Sequence, residues 1–130
     1  MTAQGRLLMT IEECYSMMGG DWDGIKRRLG NEDLIARLSI KFLSAKEYSE
    51  IGIAISERDW EKAFLNAHTL KGVALNLGYN DLAKATSNLT ELLRPRKLDN
   101  PREADRLYLS VTSEYNKVIN AINAYKDSTL

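Results

Sequence analysis

The sequence predicts an all-α protein, an antiparallel up-down four-helix bundle preceded by one or two short N-terminal helices. Long stretches repeat apolar residues at spacings of three and four, no segment alternates with a period of two, and only two prolines interrupt the chain. Short connections between helices favour antiparallel neighbours. The 130 residues are enough for one domain, which we expect to span residues 1–130 with its core at about 10–126.

Two short helices are predicted near the N-terminus. Thr10 and Glu13 fit a capping box that opens the first helix, and the pair Gly19-Gly20 ends it. Asp21 is suited to cap the second helix, which ends at Gly30.

Asn31 caps a longer third helix whose apolar residues follow helical spacing. This helix either continues as far as Ile55 or breaks near Gly52, and the pattern leaves both choices open. Beyond that point, Ser56 with Asp59 indicates a further cap for a helix that ends at Gly78.

The C-terminal half contains two more helix starts. One helix begins at Asn80 or Asp81 and is halted by Pro95. Asn100-Pro101 then places a capping residue before a proline at the first helical position, and the last helix frays beyond Lys126.

Composition excludes several classes of protein. Lys plus Arg and Asp plus Glu both number 18, so the chain lacks the basic excess typical of nucleic-acid or membrane-surface binding. Cys14 is the only cysteine, which excludes an intrachain disulfide and disfavours a cysteine zinc site. The apolar stretch Leu7–Met9 is too short for a signal peptide, and no run reaches membrane-helix length, so we expect a cytoplasmic location.

The segment after Trp60 carries the candidate chemistry. On a helix, His68 lies at the border of the apolar face, and Lys71 and Gly72 are its neighbours one turn later. A neutral imidazole is a nucleophile, and a lysine one turn away can offset the charge of a phosphoryl group. Gly72 either admits another surface close to the histidine or relieves crowding against a neighbouring helix; both explanations stay open here.

The run Ala67-His68-Thr69-Leu70-Lys71-Gly72, followed by Ala74, Asn76-Leu77-Gly78 and Leu82, resembles the signature of histidine-containing phosphotransfer domains in two-component phosphorelays. About ten positions match at fixed spacing, which is far more specific than an isolated histidine. The resemblance extends upstream to Gly20-Asp21 and Asp59-Trp60, and it covers roughly residues 10–125.

This resemblance implies a function and a set of residue roles. His68 would carry the phosphoryl group on its outer ring nitrogen, Lys71 would assist electrostatically, and Gly72 would give a receiver domain access. Phe64, Leu65 and Leu75 would contact the receiver.

The partners would be response-regulator receiver domains, including one that could belong to a hybrid histidine kinase. The receiver would supply magnesium and most catalytic groups, and this chain would bind no cofactor. No nucleotide-binding loop occurs in the sequence, so autonomous kinase activity is not expected. A monomer is the simplest assembly for a small bundle with one active histidine.

One position departs from the family pattern. Many members carry Glu or Gln on the next helix, where it holds the inner nitrogen of the histidine, and here that position is Thr90, with Glu91 following it. Either residue is a candidate for orienting His68, although the shorter hydroxyl of Thr90 leaves the orientation of the ring open.

Three other functions remain to be weighed. The chain could be the phospho-accepting module of a chemotaxis-type kinase, although its initiating Met1 favours an independent protein, or an adaptor that binds receivers without being phosphorylated. It could also be an unrelated bundle that binds nucleic acid through a modest basic patch comprising Arg94, Arg96, Lys97, Arg102 and Arg106. A carboxylate–histidine metal site is disfavoured, because the chain has a single histidine.

Overall fold

The computed structural model describes residues 8–129, which form seven helices and no strand. Residues 1–7 and Leu130, the two ends of the predicted domain, lie outside the described residues, as does the start of the Leu7–Met9 stretch. The helices are α1 (Ile11–Met17), α2 (Trp22–Leu29), α3 (Glu32–Phe42), α4 (Glu47–Ser56), α5 (Trp60–Leu77), α6 (Asn80–Leu93) and α7 (Arg102–Thr129).

Helices α4 to α7 form the four-helix bundle. Each of α4, α5 and α6 packs against the next helix, and α4 also packs against α7, so the four close into a ring. Two contacts show that α4 and α7 run antiparallel. The Tyr48 hydroxyl donates to Thr112 Oγ1, whereas Arg58, ten residues later, pairs with Asp105, which precedes Thr112 in the chain. The predicted all-α antiparallel bundle is confirmed.

Helix α5 lies between α4 and α6 and buries a stripe of mostly small side chains. Ala63, Ala67, Leu70 and Ala74 are fully buried and recur at spacings of three and four. Because alanine adds little volume, the neighbouring helices can approach the backbone of α5 closely on this side. The face that carries His68 is left outside the bundle.

The short helices α1 and α2 hold the C-terminal end of α5. The Tyr15 hydroxyl donates to the carbonyl oxygen of Leu77 at 2.6 Å. The backbone N–H of Asp21 donates to the carbonyl oxygen of Gly78 at 2.7 Å. Both carbonyls belong to a helix end that would otherwise leave acceptors unpaired. The N-terminal segment therefore fixes the end of the helix that carries His68.

Most predicted helix ends are confirmed by their hydrogen bonds. The capping box of Thr10 and Glu13 has both of its bonds, and Asn31 Oδ1 accepts from the N–H of Leu34. The left-handed C-caps at Gly30 and Gly78 are present as predicted. Asp21 likewise caps α2.

Two boundaries differ from the sequence prediction. Ser56 ends α4 instead of capping α5; Asp59 alone caps α5 by accepting from the N–H of Lys62. Helix α7 runs to Thr129, so the predicted fraying beyond Lys126 is wrong. Helix α6 starts at Asn80, one of the two predicted positions, without a side-chain cap.

The break between α3 and α4 falls at residues 43–46, so both predicted choices, continuation to Ile55 and a break near Gly52, are wrong. The N–H groups of Leu43, Ser44 and Ala45 donate to carbonyls three residues back, which tightens the end of α3. No glycine, proline or side-chain cap marks this turn, which explains why the sequence pattern missed it.

Gly52 has a different role, inside α4. A Cβ atom at this position would lie 2.6 Å from the hydroxyl oxygen of Tyr108, which donates to the backbone carbonyl of Tyr48. The missing side chain therefore lets α7 pack closely against α4.

No helix within residues 8–129 is long and apolar enough to cross a membrane.

Two glycines on neighbouring helices give a matched test of this packing. Gly52→Ala should lower the free energy of unfolding by about 1–3 kcal/mol, because Tyr108 must move from its hydrogen bond. Gly72→Ala should instead raise it by about 0.5–1 kcal/mol, because the added methyl meets no atom and alanine favours the helix. Urea denaturation of both variants checks this, and a stabilised Gly52→Ala protein would contradict the packing argument.

Candidate functional site

His68 lies exposed near the middle of α5. No residue in the range 8–129 forms a hydrogen bond or an ion pair with its ring. The nearest aromatic neighbour is Phe64, one turn earlier, whose ring centroid is 5.8 Å from that of the imidazole. Among the described residues, the ring nitrogens therefore have no hydrogen-bond partner, and the outer one has the free lone pair that a nucleophile requires.

Lys71 lies one turn after His68, as the helical spacing predicted. It is partly exposed and lines a cleft between α5 and α6 together with Leu75, Lys84 and Asn88. Among the described residues, no carboxylate forms a salt bridge with its ammonium group. A positive charge is thus available beside the histidine.

Gly72 faces open space. A Cβ atom built at this position would meet nothing within 4 Å. The explanation that this glycine relieves crowding against a neighbouring helix is therefore wrong for the described chain. Because Gly72 has no side chain, the space beside the imidazole stays open to the solvent.

The three predicted contact residues lie in different surroundings. The side chains of Leu65 and Leu75 are 53% and 50% exposed, whereas that of Phe64 is only 5% exposed. Leu65 and Leu75 thus offer apolar surface one turn before and two turns after the histidine. Phe64 lies beneath the surface, so a partner would reach it only through the residues that cover it.

A second apolar surface lies on the flank of α5 that faces α2 and α3. It is a groove lined mainly by side chains that are only partly buried, among them Leu29, Leu38, Val73 and Leu77. Val73 and Leu77 belong to α5, so this groove adds apolar surface to a second side of the helix that carries His68.

Thr90 does not hold the histidine. Its side chain is fully buried, and its hydroxyl donates to the backbone carbonyl of Thr86 at 2.8 Å. The prediction that Thr90 orients His68 finds no contact in this structure.

Glu91 lies exposed on the outer side of α6 and pairs with Arg94 at 2.7 Å. The hydrogen bond from Arg94 lowers the pKa of the Glu91 carboxyl, and the positive charges of Arg94 and Lys71 lower it further. Glu91 therefore lies within electrostatic reach of Lys71, although its direct partner is an arginine.

Sequence reasoning missed the arginines that cover Phe64. The guanidinium carbons of Arg94 and Arg96 lie 5.3 and 3.9 Å from the centroid of the Phe64 ring. In the sequence, these arginines stand out only as part of a basic patch that could bind nucleic acid. Their ion pairs with Glu91 and Glu61 offset much of that positive charge.

Comparison with known proteins identifies the family. A family model described as the Hpt domain matches residues 41–125, about two thirds of the chain. The chain belongs to the Hpt domain family. The match includes His68, Lys71 and Gly72, and it confirms the resemblance seen in the sequence. Searches of curated proteins and of solved structures find no match.

Membership of the Hpt family places the chain in two-component signalling, where such domains take part in phosphotransfer and interact with receiver domains. Within residues 8–129 of this Hpt domain, no three His, Cys, Asp or Glu side chains are grouped to hold a metal ion. Cys14 is buried, and burial raises the pKa of its thiol to about 12, so it is not a reactive thiolate at neutral pH.

The buried hydroxyl of Thr90 gives a test of the site. Thr90→Val should leave the NMR signals of the imidazole and the phosphotransfer rate of the Hpt domain within about twofold of wild type, because the hydroxyl bonds only to its own helix. Thr86→Val, which removes an equivalent hydroxyl bonded to Leu82, serves as the control. A much slower Thr90→Val with an unaffected Thr86→Val would show that Thr90 does orient the ring.

Proposed function

We propose that this Hpt domain is a phosphorelay intermediate that accepts a phosphoryl group on His68 from a receiver phospho-aspartate and passes it to the aspartate of another receiver. The observation that carries the proposal is the grouping, on the exposed face of one helix, of an imidazole and a lysine without a polar partner among residues 8–129 and a glycine that faces open space. Each of these features serves transfer between two proteins, and none is needed to stabilise the bundle.

The chemical step needs little from this chain. The lone pair of the outer ring nitrogen, Nε2, forms a bond to phosphorus while the bond from phosphorus to the aspartyl oxygen breaks. The aspartate leaves as a carboxylate with the electron pair, and the imidazole keeps its proton on Nδ1. No proton has to be removed from the nucleophile, so a general base beside His68 is not required.

Lys71 supports this step electrostatically. The transferred group carries close to two negative charges, and an ammonium group one turn away favours its presence on the imidazole. Because Lys71 forms no salt bridge with a described residue, it need not break a bond to do so. Magnesium is expected to be held by the receiver, where it would neutralise the same group from the other side.

Access for the receiver depends on the surface around the histidine. Gly72 lets a second backbone approach, and Leu65 and Leu75 supply apolar contacts on either side of the imidazole. Leu29 and Val73 in the groove towards α2 and α3 extend that apolar surface. We infer that a single copy of the chain presents the complete docking face, so a monomer in the cytoplasm suffices for function.

The first experiment is transfer from a panel of prephosphorylated receiver domains, some taken from hybrid kinases, in the presence of magnesium. Wild type should acquire an acid-labile, base-stable label, and His68→Gln should acquire none while keeping its helical circular dichroism. Equal labelling of both proteins would refute the assignment of His68. Labelling by a kinase ATP-binding domain, and not by any receiver, would favour the chemotaxis-type module.

A failure of labelling would still be informative. Receiver binding without any label would favour the non-phosphorylated adaptor, and surface plasmon resonance with the same receivers measures it directly.

The open space at Gly72 generates a second prediction. Gly72→Gln should slow transfer from a receiver by about tenfold or more, because its side chain fills the approach to the imidazole and displaces the reacting atoms. Leu109→Gln, on an exposed position of α7, is the control for adding the same side chain elsewhere. Rapid-quench measurement of single-turnover transfer checks both variants, and an unchanged rate in Gly72→Gln would show that this approach is not the one used.

A further inference from the structure

Arg96 is held in one position by four contacts. Its backbone has a left-handed φ of 59°, and its N–H donates to the carbonyl of Leu93. In the side chain, Nη1 donates to the carbonyl of Arg94 at 3.1 Å, and Nε pairs with Glu61 at 3.4 Å. The guanidinium carbon lies 3.9 Å from the centroid of the Phe64 ring.

Phe64 transmits this constraint to the histidine. With Arg96 stacked on the ring and Arg94 also close to it, the phenyl group is covered from solvent and cannot turn freely. The imidazole of His68 packs at 5.8 Å from the same ring, one helical turn later. Arg96, Phe64 and His68 thus form a continuous series of contacts that ends at the nucleophile.

Other nearby polar side chains are not available to support the imidazole. The hydroxyl of Thr90 is committed to Thr86, as described above. The amide of Asn66 donates to the carbonyl of Lys62, and the hydroxyl of Thr69 donates to that of Leu65. The ring of Phe64 is the aromatic neighbour against which the imidazole of His68 packs within the described residues.

We propose that Arg96 is a positioning residue for phosphoryl transfer, which acts through Phe64 to hold the imidazole of His68 in its reactive orientation. This inference rests on the proposed function of His68. A planar guanidinium stacks on an aromatic face and donates hydrogen bonds in its own plane, so a lysine cannot reproduce the arrangement although it keeps the charge.

Arg58 provides a matched control at the start of the same helix. It also has a left-handed φ, of 57°, pairs with Asp105 at 2.9 Å and lies over the ring of Trp60 at 5.6 Å. Trp60 is eight residues before His68, more than two helical turns away. Loss of Arg58 should therefore affect the bundle much as loss of Arg96 does, without reaching the imidazole.

The experiment compares Arg96→Asn with Arg58→Asn, because asparagine tolerates the left-handed backbone and removes the guanidinium. His68 is the only histidine, so its ring carbons give unambiguous proton–carbon NMR signals. Arg96→Asn should shift and broaden these signals and slow the maximal transfer rate by about three- to tenfold, with the half-saturating receiver concentration unchanged. Arg58→Asn should change neither property.

Two further variants separate stacking from charge. Arg96→Lys should be slowed like Arg96→Asn, and in a Phe64→Leu background Arg96→Asn should cause no additional slowing. Any one of four results would overturn the proposal. Two concern the single variants: unchanged imidazole signals and transfer rate in Arg96→Asn, or equal changes in Arg58→Asn. The other two are additive effects of Arg96→Asn and Phe64→Leu, or full activity of Arg96→Lys. If wild type is not labelled at all, the proposed function fails, whereas the NMR comparison still decides whether Arg96 positions the ring.

Discussion

The close packing of α5 between α4 and α6 is the constraint on which the remainder of this structure depends. The buried alanines Ala63, Ala67 and Ala74 keep the three helices close together, and neighbouring apolar side chains fill the space around them. A helix held on both sides has little freedom to bend or shift, so residues on its outer face keep fixed positions relative to one another. The site of an Hpt domain needs this property, because its few groups must meet the surface of a receiver domain.

Several cations near His68 are held in ion pairs, whereas Lys71 forms no salt bridge among the described residues. Arg94 pairs with Glu91, Arg96 pairs with Glu61, and Lys62 pairs with Glu50. These exposed pairs each contribute little to stability, about 0–1 kcal/mol, but they reduce the positive field that an incoming acidic receiver meets. The charge of Lys71, by contrast, stays available one helical turn from His68, where the proposed phosphoryl group would arrive. Charge placed in advance at the reacting position assists transfer without further rearrangement.

Much of the fold and the centre of the site could be predicted from the sequence, because both are encoded locally. The motif from Ala67 to Gly78 fixes the spacing of His68, Lys71 and Gly72 along one helix, and capping residues such as Thr10 and Asn31 mark helix ends by bonds within a few positions. The turn at residues 43–46 was missed because tertiary packing produces it without a local signal. The arginine cover of Phe64 was missed because it depends on the path of the connector, where Arg96 takes a left-handed conformation that an arginine rarely adopts.

Helix α7 spans about 42 Å, roughly twice the length of α6, and extends past the bundle to reach the N-terminal helices. It packs against α1 and α3 at one end and against α4 and α6 along the rest of its length, and the backbone N–H of Met9 donates to Ser128 Oγ. Because α7 contacts both the bundle and the N-terminal helices, we expect these two parts to unfold cooperatively. Neither part can separate from α7 without exposing the apolar face of that helix. The N-terminal helices, which contribute Leu29 of α2 to the apolar groove but no group beside His68, therefore share the folding free energy of the scaffold that presents the histidine.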